Sequence, residues 1–131
     1  MPRILIVDDD EDLLLSQRMF LESRGYEVAT AANADEAIRS IQTQKPDLIL
    51  ADLMMEHFDS GFVFCKRARE QEGMANVPIL MQTAASKKVG FSFDASSEAD
   101  KRWMKVDEVL TKPVPLEHLH GKIKQYLSRK P

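Results

Sequence analysis

Residues 46–55, Pro-Asp-Leu-Ile-Leu-Ala-Asp-Leu-Met-Met, contain an unbroken apolar run of strand length that ends on one carboxylate, Asp52. A run with no polar alternation reads as a strand covered on both faces, the kind found inside a parallel sheet. No basic residue flanks Asp52 in sequence. In open α/β sheets ligands bind outside the carboxyl ends of the strands, so an acid delivered there stands where chemistry is done.

Working outward, Ile4-Leu5-Ile6-Val7 repeats the signature and runs into Asp8-Asp9-Asp10-Glu11-Asp12. Asp10, Glu11 and Asp12 read as the first turn of a helix, where negative charge suits the macrodipole. Asp8 and Asp9 sit at the strand tip and read as candidate ligands. Leu13, Leu14, Leu15, Phe20 and Leu21 predict a helix over 11–24, closed by Gly25. Tyr26 to Ala29 alternates as a second strand. Asn33 with Glu36 resembles a capping box for a helix burying Ala37, Ile38 and Ile41, and Pro46 stops it.

Beyond the central strand, Ser60-Gly61 opens a helix with Phe62, Cys65 and Ala68 on one face. Cys65 reads as core packing, since no cation on that face would lower its pKa. Val77 to Gln82 is a fourth strand with Pro78 tolerated at its start, and it ends at Thr83. Asp107 to Thr111 is a fifth, followed by Lys112-Pro113. Pro115 begins a last helix with Leu116, Leu119, Ile123 and Leu127 at spacings of three and four. Residues 86–106 carry no single helical stripe.

Five alternations of strand and helix predict a doubly wound α/β fold, a parallel sheet with helices on both faces. At 131 residues the chain is read as a single domain over 1–131 that buries roughly two thirds of its unfolded surface. A composition 44% hydrophobic and 30% charged excludes a disordered or membrane chain. A net charge of -3 argues against nucleic acid as the direct partner. The single cysteine excludes an internal disulfide, and the first apolar run is too short for a signal peptide. A cytoplasmic protein is expected, with no membrane contact. The chain ends just after the last helix, so no attached output domain is expected in it; it acts alone through protein contacts or is a piece of a longer regulator.

The polar residues at the strand ends now form one set: Asp8 and Asp9, Asp52, Thr83 and Lys112. Carboxylates 4 Å apart repel by about 4 kcal/mol per pair at an effective dielectric near 20. A cation must therefore join them, or a proton must be held. With no His or Cys in the set, a hard, oxygen-preferring ion fits, which is Mg²⁺ rather than zinc. Mg²⁺ and Lys112 would neutralise the oxygens of a phosphoryl group, Thr83 would donate a hydrogen bond, and Asp52 would attack in line as the nucleophile. Alone, Thr83 is an ordinary strand-end residue and Lys112 an ordinary surface lysine; the ordered set gives them a role.

Ile-Leu-Ile-Val-Asp-Asp, then Asp-Leu-Ile-Leu-Ala-Asp-Leu-Met, Thr-Ala and Thr-Lys-Pro, in that order over essentially the whole chain, resemble the CheY-like receiver domain of two-component response regulators. The resemblance implies a flavodoxin-like sheet of order 2-1-3-4-5 and a cis Lys112-Pro113 bond. It makes Asp52 the phosphoacceptor, and it places Mg²⁺ on Asp8, Asp9, Asp52 and the backbone carbonyl of Met54. Thr83 and Lys112 then read the phosphoryl group. The donor is a histidine kinase or histidine phosphotransfer protein, and the output is a changed surface for a downstream protein. Such a chain catalyses transfer only onto itself and is not counted as an enzyme.

Departures from the family pattern carry their own expectations. Glu56 replaces the usual proline after Met55 and Gly61 lies one residue late, so the loop beside Asp52 is longer and more acidic, with His57 either near the phosphoryl group or solvated. Val109 replaces the aromatic whose rotation reports phosphorylation. The interval from Thr83 to Lys112 is long, and its helix is atypical or shortened. Phe91, Phe93 and Trp103 either pack there as core or serve a segment, 86–106, that carries the output change. Met54 and Ala85 cannot orient a water, which predicts a long-lived acyl phosphate.

Two other readings stay open at this point. One is a degenerate receiver that serves only as an interaction surface. The other is a haloacid-dehalogenase-type phosphohydrolase, although its nucleophile belongs on the first strand and Asp12 stands where its motif needs Thr or Val.

Overall fold

The computed structural model describes residues 2–52, 60–84 and 106–128. Among them five strands form one parallel sheet: β1 (Arg3–Val7), β2 (Glu27–Ala31), β3 (Leu48–Asp52), β4 (Ile79–Ala84) and β5 (Glu108–Lys112). Their order is β2-β1-β3-β4-β5, so the chain reverses direction across the sheet beside β1 and β3. That reversal opens a crevice at the carboxyl ends of these two strands. Four helices are described: α1 (Glu11–Ser23), α2 (Ala34–Thr43), α3 (Ser60–Arg69) and α4 (Leu116–Leu127).

The two faces of the sheet follow from alternation along each strand. Leu5, Val7, Ile49, Ala51, Ile79 and Met81 point toward α2 and α3, where Ala37, Ile38, Ile41, Phe64, Cys65 and Ala68 complete one core layer. Ile4, Ile6, Leu48, Leu50, Leu80 and Leu110 point the other way, against Leu14 and Leu21 of α1 and Leu119, Ile123 and Tyr126 of α4. Every residue of β3 is buried, as its unbroken apolar run predicts.

Local signals place the helices. Asp10 is the N-cap of α1, its carboxylate accepting from the backbone N–H of Asp12 and Leu13. Gly25 has φ +94°, which ends α1 in a conformation that L side chains rarely adopt. Asn33 caps α2 by accepting from the N–H of Glu36 at 2.9 Å, while the Glu36 carboxylate reaches back to the N–H of Ala32. The Lys112-Pro113 bond is cis.

Several boundaries and stripes differ from the sequence reading. β2 lies later than Tyr26–Ala29, because Glu27 to Ala31 is the stretch that pairs with β1. β4 and β5 each run to the residue beyond the predicted end, taking in Ala84 and Lys112. Leu15 is exposed, and Gln17 takes the buried position in phase with Leu14 and Leu21. Among the described side chains of α3, Phe64 is fully buried with Cys65 and Ala68, while that of Phe62 lies outside the described residues, and in α4 Tyr126 is buried at the end of the stripe. The helix expected between the fourth and fifth strands lies outside the described residues.

Candidate functional site

Three strand ends build the site. Asp8 follows β1, and its backbone N–H donates to the carbonyl of Ala31 at 3.0 Å, extending the β1–β2 ladder by one step. Its carboxylate accepts from the N–H of Asp10 at 2.9 Å. Asp52 closes β3, and because Val7 pairs with Ala51, Asp8 and Asp52 fall level on the same face of the sheet. Both are buried, with 1% of each exposed, while Asp9 faces solvent. One carboxylate oxygen from each of Asp8, Asp9 and Asp52 lies within 4.8 Å of the others.

Lys112, at the end of β5, reaches into this cluster. Its Nζ donates to Asp8 Oδ2 at 2.8 Å and to Asp52 Oδ2 at 3.4 Å. The shorter bond goes to Asp8, so the ammonium lies nearer Asp8 than Asp52. Burial pushes the Asp8 carboxyl above its ordinary value; Lys112 and the Asp10 N–H oppose this without overcoming it, and the Asp52 charge adds to it. Burial would pull the Lys112 ammonium down, but its bond to Asp8 and the charges of Asp52 and Asp8 outweigh burial and hold it above the ordinary lysine value. The two shifts differ in cause: burial dominates at Asp8, whereas at Lys112 the bond to Asp8 and the two neighbouring carboxylates prevail over burial.

Asp8, Asp9, Asp52 and Lys112 are thus brought together as the sequence predicts. Thr83 stands one residue beyond Gln82 in β4, with its backbone paired to Thr111. Asp10 to Asp12 take the helix-start role and stay out of the cluster. Val109 lies in β5 opposite Met81, partly buried against the α2–α3 layer. Cys65 is core: burial pushes its thiol up to about 12, and its Sγ is 3.6 Å from Met81 Sδ. Met54, Glu56, His57, Ala85, Phe91, Phe93 and Trp103 lie outside the described residues.

One pair beside the site escaped the sequence reading. Gln17 and Gln82 are both buried and join α1 to β4 side chain to side chain. A signal for them existed, since Gln17 keeps the phase of Leu14 and Leu21 and Gln82 keeps that of Leu80, but polar residues are not counted in an apolar stripe.

These features define a doubly wound α/β module with an acidic, lysine-bridged pocket at the carboxyl edge of its sheet. The chain belongs to the response regulator receiver domain family, whose model matches residues 4–124. It is 35% identical over 127 residues to the alkaline phosphatase synthesis transcriptional regulatory protein PhoP of Bacillus subtilis (strain 168), covering 97% of this chain and 49% of PhoP. It is also 35% identical over 133 residues to the DNA-binding dual master transcriptional regulator RpaA of Synechocystis, covering 98% of this chain and 50% of RpaA. The chain therefore spans about half the length of these curated relatives. Among solved structures it resembles chemotaxis protein CheY4 of Vibrio cholerae, with TM-score 0.82, 28% identity and coverage of 96% and 98% of the two chains. A CheY-like receiver domain protein from Methanospirillum hungatei JF-1 gives TM-score 0.78 at 30% identity, covering 98% and 94%. Receiver domains of this family are signalling modules of the two-component class. Among the described residues no helix is long and apolar enough to cross a membrane.

Proposed function

We propose that Asp52 is the phosphoacceptor of a two-component switch and receives its phosphoryl group from a phosphohistidine on a histidine kinase or histidine phosphotransfer protein. The observation that carries this reading is a buried Asp52 grouped with Asp8 and Asp9 and only 3.4 Å from the Lys112 ammonium. An Asp52 oxygen attacks phosphorus, the P–N bond breaks, and its electron pair leaves on the donor imidazole. Lys112, already drawn toward Asp52, neutralises charge on the phosphoryl oxygens, and the Thr83 hydroxyl donates to one of them.

The donor set fits Mg²⁺: three carboxylates, all oxygen, with no nitrogen or sulfur ligand among the described residues. Asp8, Asp9 and Asp52, with the Met54 carbonyl, would hold it. When bound, Mg²⁺ supplies the positive charge that the pocket lacks.

The phosphorylated chain, a single receiver domain over 1–131, acts on a protein partner through a changed surface, in a cytoplasmic setting, without touching nucleic acid itself. The DNA binding in the name of RpaA belongs to a protein about twice as long as the stretch matched here. Val109 cannot swing as an aromatic would, so the output change is assigned to residues 86–106; equal hydrogen exchange there with and without beryllofluoride would count against that. Met54 and Ala85 leave the acyl phosphate without a side chain to orient water, giving a long-lived phosphoryl group.

The deciding test is incubation with acetyl phosphate and Mg²⁺, followed by intact mass, on the wild type and Asp52→Asn. One phosphate adduct on the wild type and none on the variant is expected. No adduct on the wild type would leave the chain an interaction module only.

A further inference from the structure

In the core layer between the sheet and helices α1 and α4, two buried glutamines stand among mostly apolar side chains. Gln17 of α1 is 4% exposed and Gln82 of β4 is 1% exposed. Their amides exchange two hydrogen bonds: Gln17 Nε2 donates to Gln82 Oε1 at 2.9 Å, and Gln82 Nε2 donates to Gln17 Oε1 at 3.2 Å. Two buried amides must satisfy each other to be tolerated in such a layer, and an apolar pair would carry no such requirement. The pair is directional where its neighbours are not, and its location explains what direction is needed for.

Gln82 is the strand partner of Asp52 on one side and of Leu110 on the other. Lys112 lies two residues beyond Leu110 on the same face of β5, with β4 between it and Asp52. Lys112 pairs with Ala84, two residues beyond Gln82, so for its Nζ to reach Asp52 and Asp8 its side chain crosses the end of β4 just past Gln82. A cavity of about 550 Å³ opens between α1 and the segment after β5, and Gln17, Gln82, Lys112 and Leu116 are among the residues that line it. A four-carbon stem beside open space has alternative rotamers, and a lysine gives no planar fork to hold itself in place. The amide pair forms part of the wall on the side of the cavity where Lys112 must stay.

We propose that Gln17 and Gln82 are positioning residues for phosphoryl transfer, a buried amide pair that ties α1 to β4 beside Asp52 and fixes the path of the Lys112 side chain. This rests on the reading of Asp52 as the phosphoacceptor. The side chains of the pair bond to each other and to neither Asp8 nor Asp9, so they govern the ammonium and leave these two carboxylates alone.

The test uses Gln17→Leu, Gln82→Leu and the double variant, with three readouts: thermal midpoint, Mg²⁺ affinity, and the rate of adduct formation at saturating acetyl phosphate. Each single variant strands one buried amide and lowers the midpoint, while the double variant recovers most of that loss. In all three the saturating rate falls about tenfold, since a misplaced charged group costs rate rather than binding. Mg²⁺ affinity stays within about twofold, because the carboxylates that would hold it are untouched. A purely structural pair would recover rate together with stability in the double variant, and that result overturns the proposal. Adduct absent from the wild type overturns the acceptor reading and this proposal with it; adduct on the wild type and an undiminished rate in the double variant overturns this proposal alone. A readout without variants covers a failure to fold. The side-chain NH₂ signals of Gln17 and Gln82 in wild-type NMR spectra shift when beryllofluoride is added to the Mg²⁺-loaded protein, and signals that stay fixed while those of Lys112 move overturn it.

Discussion

The two edges of the sheet use the same charged residue types to opposite ends. At the amino edge the charges at the strand starts are held in pairs and hydrogen bonds. Arg69 donates to the carbonyls of Met74 and Val77 at 2.9 and 2.6 Å and to Asp107 at 3.1 Å. The Asp107 carboxylate also accepts from the N–H of Ile79, where β4 begins. Asp47 accepts from the N–H of Arg3, whose guanidinium pairs with Glu27, and Lys122 pairs with Glu108. At the carboxyl edge Asp8, Asp9 and Asp52 meet Lys112 as their one cation among the described residues. A matched edge holds strands in register; an edge left negative attracts a cation and a phosphoryl group. Imbalance of charge, rather than charge itself, separates the chemical edge from the structural one.

The contrast breaks if charge removal acts alike at both edges. Arg69→Ala is expected to cost about 3 kcal/mol, because it strands carbonyls and a carboxylate at once. Urea unfolding reads the loss, and adduct formation on Asp52 should survive under conditions where the variant is folded. At the other edge Mg²⁺ at a hundred times its dissociation constant is expected to stabilise the protein by about 2.7 kcal/mol. Asp8→Asn should abolish that response, and an undiminished Mg²⁺ effect would remove Asp8 from the ligand set.

The same Asp8→Asn change sharpens the comparison in metal-free buffer. Asparagine keeps an acceptor for the Asp10 N–H and removes a buried charge that Asp52 repels, while giving up an ion pair with Lys112. A gain of about 1 kcal/mol is expected, opposite in sign to the loss from Arg69→Ala. A loss comparable to that of Arg69→Ala would mean that the Lys112 pair dominates and the carboxyl edge is not in deficit.

What could be read from the sequence follows from how local each signal is. β1 and β3 were legible because a strand covered on both faces needs no pattern beyond an apolar run, and the acids at their tips were placed by that reading alone. Asn33, Gly25 and Asp10 act within a few residues of themselves, and their roles as helix-end residues hold. Gln17 and Gln82 stayed hidden because each reads as an ordinary polar residue until the partner, 65 positions away, is beside it. Leu15 misled for the complementary reason: leucine is apolar, but its place on α1 turns it to solvent. The bond of Lys112 to Asp8, shorter than that to Asp52, depends on side-chain reach across three strands, which spacing in sequence does not encode.

The smallest expected effect concerns proton linkage at the carboxyl edge, and its sign follows from the two shifted groups. Asp8 folded holds its proton above the ordinary 3.8, so between 3.8 and that raised value the native state binds more protons than the unfolded chain. Stability contributed by Asp8 therefore grows as pH falls through this window, against the usual course of acid denaturation. Lys112 is raised above 10.5 by Asp8 and Asp52 against the pull of burial. Its contribution is fully present below pH 10.5 and is lost as pH rises through the folded value. Tyr26, pushed up by burial, and Cys65, pushed up to about 12, weaken the protein over the same alkaline range for their own reasons. Both remain in Lys112→Met, so the difference between the two curves of urea midpoint against pH, in metal-free buffer, belongs to the lysine. The variant should show a shallower alkaline limb above pH 10.5. Parallel limbs would mean that the ammonium gains nothing from the two carboxylates on folding, and the charge deficit at this edge would then have to be met by a bound cation alone.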